Sequence, residues 1–411
     1  MATKEEQPQA LENKEEPKED GELPLVVVLR PKSFNLPLED RLQSHFHLLD
    51  PNDSPDESIE SFLSRRAHSA RALLCVGLTP LTADTLCLLP SLELVVGSSA
   101  GVEHIDLHEC RRRGITVTGA SAAFSEDAAD YAVALLIDVL RRISAADRFV
   151  RGRNTILREA NSTNLASSPS PSFAKPRPSR KSKSAKENAL PFDLTSIPSK
   201  SKPSPAMAAK LKSPLPPRPP PSNSHKRKLS FESHGLDLGG KRVGIVGLGN
   251  IGSQIAKRLV AFGCSIAYNS RKKKPSIPFP YHANVWDLAA NSDVLIVCCA
   301  LTEDTHHIIN KDVMTALGKE GVIINVGRGP LVDEKELVQF LVRGEIGGAG
   351  LDVFENEPDV PKELFKLDNV VLSPHCAVVT LESFAALQDL VMANLKAFFS
   401  NKPLVSLVQN E

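Results

Sequence analysis

Short, wholly apolar runs recur along the chain, and polar stretches with helical spacing separate them. The first run, LPLVVVLR from Leu23, is a buried strand. A polar, helix-compatible stretch follows over residues 38–49, then a strand at 72–76 ending on Gly77, a short helix over 81–89 and a strand at 92–96. Residues 115–117 give another short strand. The segment DAADYAVALLIDVLRR at 127–142 is a strongly apolar helix, closed by arginines of the sign that the helix dipole favours there. Beyond residue 235 the alternation resumes, with apolar strands at 243–246, 264–268, 294–299, 321–326, 348–353 and 370–372, a helix at 334–343 and a long amphipathic helix at 380–399. Uninterrupted apolar strands alternating with helices predict an α/β fold built on parallel sheet.

Within that pattern, residues 241–252 read KRVGIVGLGNIG. A buried strand runs into Gly247, Gly249 and Gly252 as G-x-G-x-x-G, and the next segment spaces Ile255, Leu259 and Phe262 for one helical face, with Gly263 placed to end it. Strand, tight turn and helix in this order make a dinucleotide site. Gly247 permits the turn, Gly249 lets a pyrophosphate approach the backbone, and Gly252 lets helix pack on strand, so that phosphate meets the positive helix end. NAD-preferring proteins of this architecture carry a carboxylate at the end of the second strand for the ribose hydroxyls. Here that neighbourhood is Tyr268, Asn269, Ser270, Arg271, Lys272, Lys273 and Lys274, without an acid. Ser270 can hydrogen-bond a 2′-phosphate and Arg271 can pair with it through a planar fork, which predicts NADPH as preferred cofactor and NADH as the alternative. Lys273 and Lys274 read as a solvated basic turn.

Three polar residues stand at strand ends in the same half: Arg328 after GVIINVG, Glu357 after AGLDVFEN and His375 after VVLSP. Strand C-termini of a doubly wound sheet converge on the ligand crevice, so the three can meet despite their separation in sequence. Reduction of a 2-oxo acid needs a cation for the carboxylate and developing alkoxide, an acid for the oxygen, and a group that keeps the acid protonated. Arg, His and Glu supply these in turn. Earlier in the chain, Gly97 and Gly101 bracket small residues in GSSAGVEHIDL and can present backbone N–H groups to an anion, or form an ordinary strand-to-helix loop.

Composition changes the picture at one place. Residues 151–233 hold 17 Lys/Arg against 4 Asp/Glu, leaving 32 against 45 for the remainder, and residues 161–233 hold 14 of the 31 prolines. Such a segment cannot bury enough apolar surface to offset its ordering, and it is expected to be a disordered insert, like the charged arm at 1–22. The basic HKRK at 225–228 reads as a solvated run, with nuclear localisation as the alternative; nucleic acid is not an expected partner. Seven cysteines without C-x-x-C spacing read as reduced core thiols, and no metal site is expected. Without a membrane-length apolar stretch, a cytoplasmic protein is expected.

The motifs VGLGNIG, INVGRGPLVDEKEL, AGLDVFENEP and NVVLSPH, in this order, resemble the D-isomer-specific 2-hydroxyacid dehydrogenases, and YNSRKKKP with VCCALTEDT is similar to the plant glyoxylate/hydroxypyruvate and hydroxyphenylpyruvate reductase branch. The resemblance spans about 23–150 and 235–405. It implies a doubly wound Rossmann nucleotide domain (leading helix 122–150, then 235–376) inserted in a smaller flavodoxin-like substrate domain (23–121 and 377–411), with a homodimer as the assembly. Carried over by motif, Arg328 binds substrate, Glu357 tunes the acid and His375 donates the proton. Leu248, Asn250 and Ile251 would line the cofactor with the three glycines, as would Ser270, Arg271, Lys272, Val326, Gly327, Arg328 and Asp352. Val76, Gly77, Ala100 and Gly101 would hold the substrate carboxylate. The implied activity is reduction of hydroxypyruvate, glyoxylate or hydroxyphenylpyruvate. The rivals are a dinucleotide-sensing corepressor-like binding protein and an enzyme impaired by the insert. Two features depart from the family pattern: Cys376, Ala377 and Val378 follow His375 where many members have a Gly-Ser loop, and the only tryptophan is Trp286, the insert standing where a Trp-bearing loop is usual.

Overall fold

The structure is a computed structural model that describes residues 23–32, 39–151 and 235–408. The acidic arm, the insert beyond Arg151 and its HKRK patch fall outside the described residues. Two parallel sheets organise the rest. The first contains β1 (Leu25–Leu29), β2 (His47–Leu49), β3 (Ala72–Cys75), β4 (Leu94–Gly97) and β5 (Thr116–Thr118) in the order β2-β1-β3-β4-β5. This is the flavodoxin-like order. Its strands read as unbroken apolar runs because both faces are covered. On one face Val27, Leu73 and Val95 pack with Phe62 and Leu63, Leu86, and Cys110, which belong to α2 (Ile59–Arg66), α3 (Ala83–Cys87) and α4 (Leu107–Arg112). On the other, Val26, Val28, Leu74 and Val96 pack with Val391, Met392 and Leu395 of the last helix, Leu381–Phe399. The chain's end therefore returns to complete the first core.

The second sheet contains β6 (Arg242–Val246), β7 (Ser265–Asn269), β8 (Val294–Val297), β9 (Val322–Asn325), β10 (Gly348–Leu351) and β11 (Val370–Leu372), ordered β11-β10-β9-β8-β6-β7. All its pairings are parallel. Strand order reverses at β6, which pairs β7 on one side and β8 on the other, and a ligand crevice opens outside the strand ends at such a switch point. Helix α5 (Ser125–Arg141) and the helix after the glycines, Asn250–Ala261, cover one face. Leu288, Val313, Met314, Leu337 and Leu341 cover the other.

The two crossings between the sheets are fastened side by side. Thr380 caps the last helix by accepting from Ser383 N, while the Asp127 carboxylate in the first turn of α5 accepts from the hydroxyls of Thr380 and Ser383. No helix of the described residues is long and apolar enough to cross a membrane.

Two expectations need correction. Residues 38–49 do not form one helix: Glu39–Gln43 is helical, but His47, Leu48 and Leu49 pair with Leu25, Val26 and Val27 as an edge strand. The pairing partner lies outside the local window, so helical compatibility lost to sheet closure. Phe262 does not share the buried face of Ile255 and Leu259. It is the C-cap residue and is half exposed, while Ala256 takes the buried position.

Candidate active site

A cleft of about 1750 Å³ lies at the carboxyl ends of both sheets, lined by the glycine turn, the basic turn after β7, and the loops carrying Gly101, Arg328 and His375. That volume exceeds the range usual for one small ligand, about 300 to 1,000 Å³, and suits a dinucleotide with a small acid beside it. At the turn, Gly247 has φ +99 and lies so close to the Cys299 backbone that a β-carbon would stand 2.5 Å from its Cα. Only glycine fits. At Gly249 a β-carbon would meet nothing within 4 Å, so the backbone there is open to an approaching group. The turn and its helix thus suit a pyrophosphate, and β7 ends without a carboxylate, on Asn269 and Ser270.

The segment with His375 is built from buried hydrogen bonds. Asp352, 1% exposed, accepts from Ser373 Oγ (2.6 Å) and Cys376 N (2.9 Å) through Oδ1, and from Ala377 N (3.0 Å) through Oδ2, while its carbonyl accepts from His375 N (2.7 Å). These bonds hold His375 at φ +53, the left-handed region. Glu357 accepts from Phe354 N through Oε1 (3.1 Å) and meets His375 Nδ1 through Oε2 at 2.8 Å. A carboxylate can only accept, so with Glu357 in that form Nδ1 carries the proton of this contact and Nε2 is the ring nitrogen that Glu357 does not engage.

Arg328 follows β9 and sits in a tight frame. Asn325, 1% exposed, accepts from Gly327 N (3.0 Å) and donates to Arg328 O (2.9 Å). The guanidinium donates through Nη1 to Gly327 O (2.9 Å) and through Nε to Glu103 Oε1, on the loop after β4. Burial alone would push the Glu103 carboxyl up, but the guanidinium, by charge and hydrogen bond, outweighs it and holds the group below the usual carboxylate range. The cation at Arg328 is therefore already engaged from across the cleft.

Residues 222–377 match the NAD binding domain of the D-isomer specific 2-hydroxyacid dehydrogenases. Over 391 residues, 95% of this chain and 99% of its relative, the sequence is 46% identical to a glyoxylate/hydroxypyruvate reductase, HPR3, of Arabidopsis thaliana. The chain belongs to the D-isomer-specific 2-hydroxyacid dehydrogenase family. It is also 38% identical to a hydroxyphenylpyruvate reductase of Plectranthus scutellarioides, covering 93% of this chain and 98% of that one. Among solved structures it resembles the NADPH-dependent glyoxylate/hydroxypyruvate reductase of Sinorhizobium meliloti in complex with NADP and malonate, with TM-score 0.65, 31% identity and coverage of 94% and 96%.

Against this 2-hydroxyacid dehydrogenase frame, most residues singled out in the sequence line the cleft: Gly77, Ala100, Gly101, Gly247 to Ile251, Ser270 to Lys272, Val326 to Arg328, Asp352 and His375. Glu357 stands behind His375. One placement differs from expectation, and two residues act through packing or backbone bonds. Val76 is 3% exposed inside the first sheet's core, and its carbonyl accepts from Thr79 Oγ1, so its side chain does not reach the cleft. Gly252 packs beneath the turn, as its place in the motif predicts, where a β-carbon would stand 2.2 Å from Gly247 O and press on Ile245 and Cys298. Asp352 touches the cleft, but its carboxylate is consumed by the backbone of the His375 segment.

The basic turn also departs from the reading by residue type. Ser270 Oγ donates to Lys272 O (2.8 Å), so its hydroxyl hydrogen is already committed. Lys274, read as a solvated charge, is fixed instead: its N donates to Tyr268 Oη (2.9 Å) and its Nζ to Leu248 O (2.5 Å) in the glycine turn. Asn325 lies inside INVGRG and Lys274 inside the basic run, and membership of those stretches was the available signal. All seven cysteines are free, and burial pushes the Cys75 thiol up to about 12 and Cys299 to about 11. Among the described residues no cluster of three or more His, Cys, Asp or Glu is arranged to hold a metal.

Proposed function

We propose that this protein is an NADPH-dependent reductase of small 2-oxo acids, with hydroxypyruvate and glyoxylate first and hydroxyphenylpyruvate as a further substrate. The observation that carries the reading is the His375 Nδ1 to Glu357 Oε2 contact of 2.8 Å, on a backbone segment locked by Asp352 and facing the same cleft as Arg328. A bound reduced nicotinamide supplies the hydride. Gly247 to Ile251 would hold the pyrophosphate, and Arg271, Lys272 and Lys274 the 2′-phosphate. Arg328 and the backbone of Gly77, Ala100 and Gly101 bind the substrate carboxylate. His375 gives its Nε2 proton to the carbonyl oxygen as charge develops there, while Glu357 holds the ring through Nδ1. Positioned general acid catalysis of this type contributes about 10² to 10⁴ in rate.

The same reading includes a homodimer and a cytoplasmic setting, which light scattering and fractionation check. The reaction itself is tested by incubating the full chain with NADPH and hydroxypyruvate or hydroxyphenylpyruvate and resolving the enantiomers of the product, the glycolate formed from glyoxylate being achiral. The expected result is one 2-hydroxy acid isomer, the D form for hydroxypyruvate. A racemic or L product would overturn the assignment.

A further inference from the structure

The guanidinium of Arg328 carries its five N–H donors on three nitrogens, and two of these nitrogens already donate inside the protein. Nη1 donates to Gly327 O at 2.9 Å, and Nε donates to Glu103 Oε1. Nη2 remains, and it lies 2.7 Å from the point where a β-carbon on Gly101 would stand, so it is directed at the loop after β4. The Glu103 carboxylate belongs to that same loop, 225 residues from Arg328 in sequence. One ion pair thus bridges the first sheet's wall of the cleft to the second's. Its side chains are 18% and 23% exposed, which separates it from the solvated surface pairs that contribute little. Burial pulls the neighbouring His104 imidazole toward its neutral form, leaving Arg328 as the cation that faces Glu103.

We propose that Glu103 is a positioning residue for the reduction: it takes the Nε edge of Arg328, so that the Nη2 edge is the one offered to a substrate carboxylate at the Ala100 and Gly101 backbone. This rests on Arg328 as the substrate-binding cation. The opposite role would be a stand-in for substrate, a carboxylate that occupies Arg328 and must leave before binding. The geometry favours positioning, because the hydrogen bond from Arg328 to Glu103 leaves from Nε and not from Nη2, with Glu103 Oε2 packed beside Gly101, 2.1 Å from where a β-carbon would stand. Glycine at 101 is part of the device, since a β-carbon there would press on both Glu103 and Arg328 Nη2.

The test measures hydroxypyruvate kinetics and, independently of turnover, malonate binding to the NADP-loaded full chain by calorimetry. Glu103→Ala should lower kcat/KM about tenfold or more and weaken malonate by a similar factor, as expected for losing a charge-assisted contact that orients the cation. NADPH affinity should stay within about twofold, because the contact lies on the substrate side. Glu103→Gln keeps an oxygen that can accept from Nε and should hold kcat/KM within about threefold of the unmodified protein. Gly101→Ala should reproduce the Glu103→Ala loss. A lower KM and tighter malonate in Glu103→Ala would instead identify a competitor and overturn the proposal. So would unchanged kinetics, or equal loss in Ala and Gln variants with NADPH binding falling in parallel, the mark of a merely structural role. Arg328→Met separates the layers: if it leaves malonate affinity intact, the reading of Arg328 fails and takes the proposal with it. If it abolishes affinity while Glu103→Ala does nothing, only the proposal fails.

Discussion

Two polar segments face the cleft from the nucleotide sheet, and they are held in opposite ways. The His375 segment is anchored from below by a carboxylate 1% exposed, which accepts from a hydroxyl and two backbone N–H groups. The basic turn at Ser270 to Lys274 is mostly exposed and fastened mainly at its far end, through Lys274. Buried hydrogen bonds fix an atom to a fraction of an ångström, as proton transfer requires, whereas exposed charges can recognise a phosphate over a range of positions. The contrast separates substitutions that change the rate from those that change which cofactor is held.

The largest effect is expected at the anchored segment. His375→Gln should lower kcat by about 10² to 10⁴ while leaving NADPH affinity unchanged, as read by fluorescence of Trp286, which lines the same cleft. Next comes the anchor. Asp352→Asn turns an amide NH₂ toward backbone N–H groups, leaving at least one buried donor unpaired at a cost of about 1 to 3 kcal/mol. It should lower kcat by up to about 10² by misplacing His375, and urea unfolding alongside kinetics checks both. An unchanged kcat would show that the anchor is only structural.

At the basic turn the expected effects are smaller. Arg271→Ala should remove most of a preference for NADPH over NADH of about tenfold or more, through KM with kcat kept. Lys274→Gln should cost less in NADPH affinity and also loosen the glycine turn it is bonded to. A fall in kcat from either would erase the distinction between the segments. The smallest effect is expected behind the acid. Glu357→Gln keeps an oxygen that can accept from His375 Nδ1 and should lower kcat far less than His375→Gln does, with NADPH affinity unchanged. A loss as large as that of His375→Gln would contradict this order.

The difference between the segments also explains what was legible in the sequence. The turn at Gly247 announces itself because its chemistry is local: an apolar run, then a residue at φ +99 pressed on Cys299. Arg328, Glu357 and His375 were visible because strand ends converge in this sheet order. His47, Leu48 and Leu49 were not read as a strand, since their stability comes from Leu25, Val26 and Val27 across a sheet. The bonds from Asp352 to the His375 segment were not legible, because a bond from a side chain to a backbone further along leaves no periodicity. Glu103 was invisible for the strongest reason, with a partner contributed by the other sheet. Residue type pointed to the groups proposed for the chemistry, while the groups that hold them needed the fold.

The most direct test is to follow NADPH binding and NADPH oxidation in one sample of the unmodified full chain, with Trp286 fluorescence for the first and nicotinamide absorbance for the second, on addition of hydroxypyruvate. The account predicts binding followed by sustained oxidation, with a turnover within the ordinary enzymatic range of about 1 to 10³ s⁻¹. Binding without oxidation above the buffer rate, for hydroxypyruvate and glyoxylate alike, would contradict it and leave a dinucleotide-binding protein on the same fold.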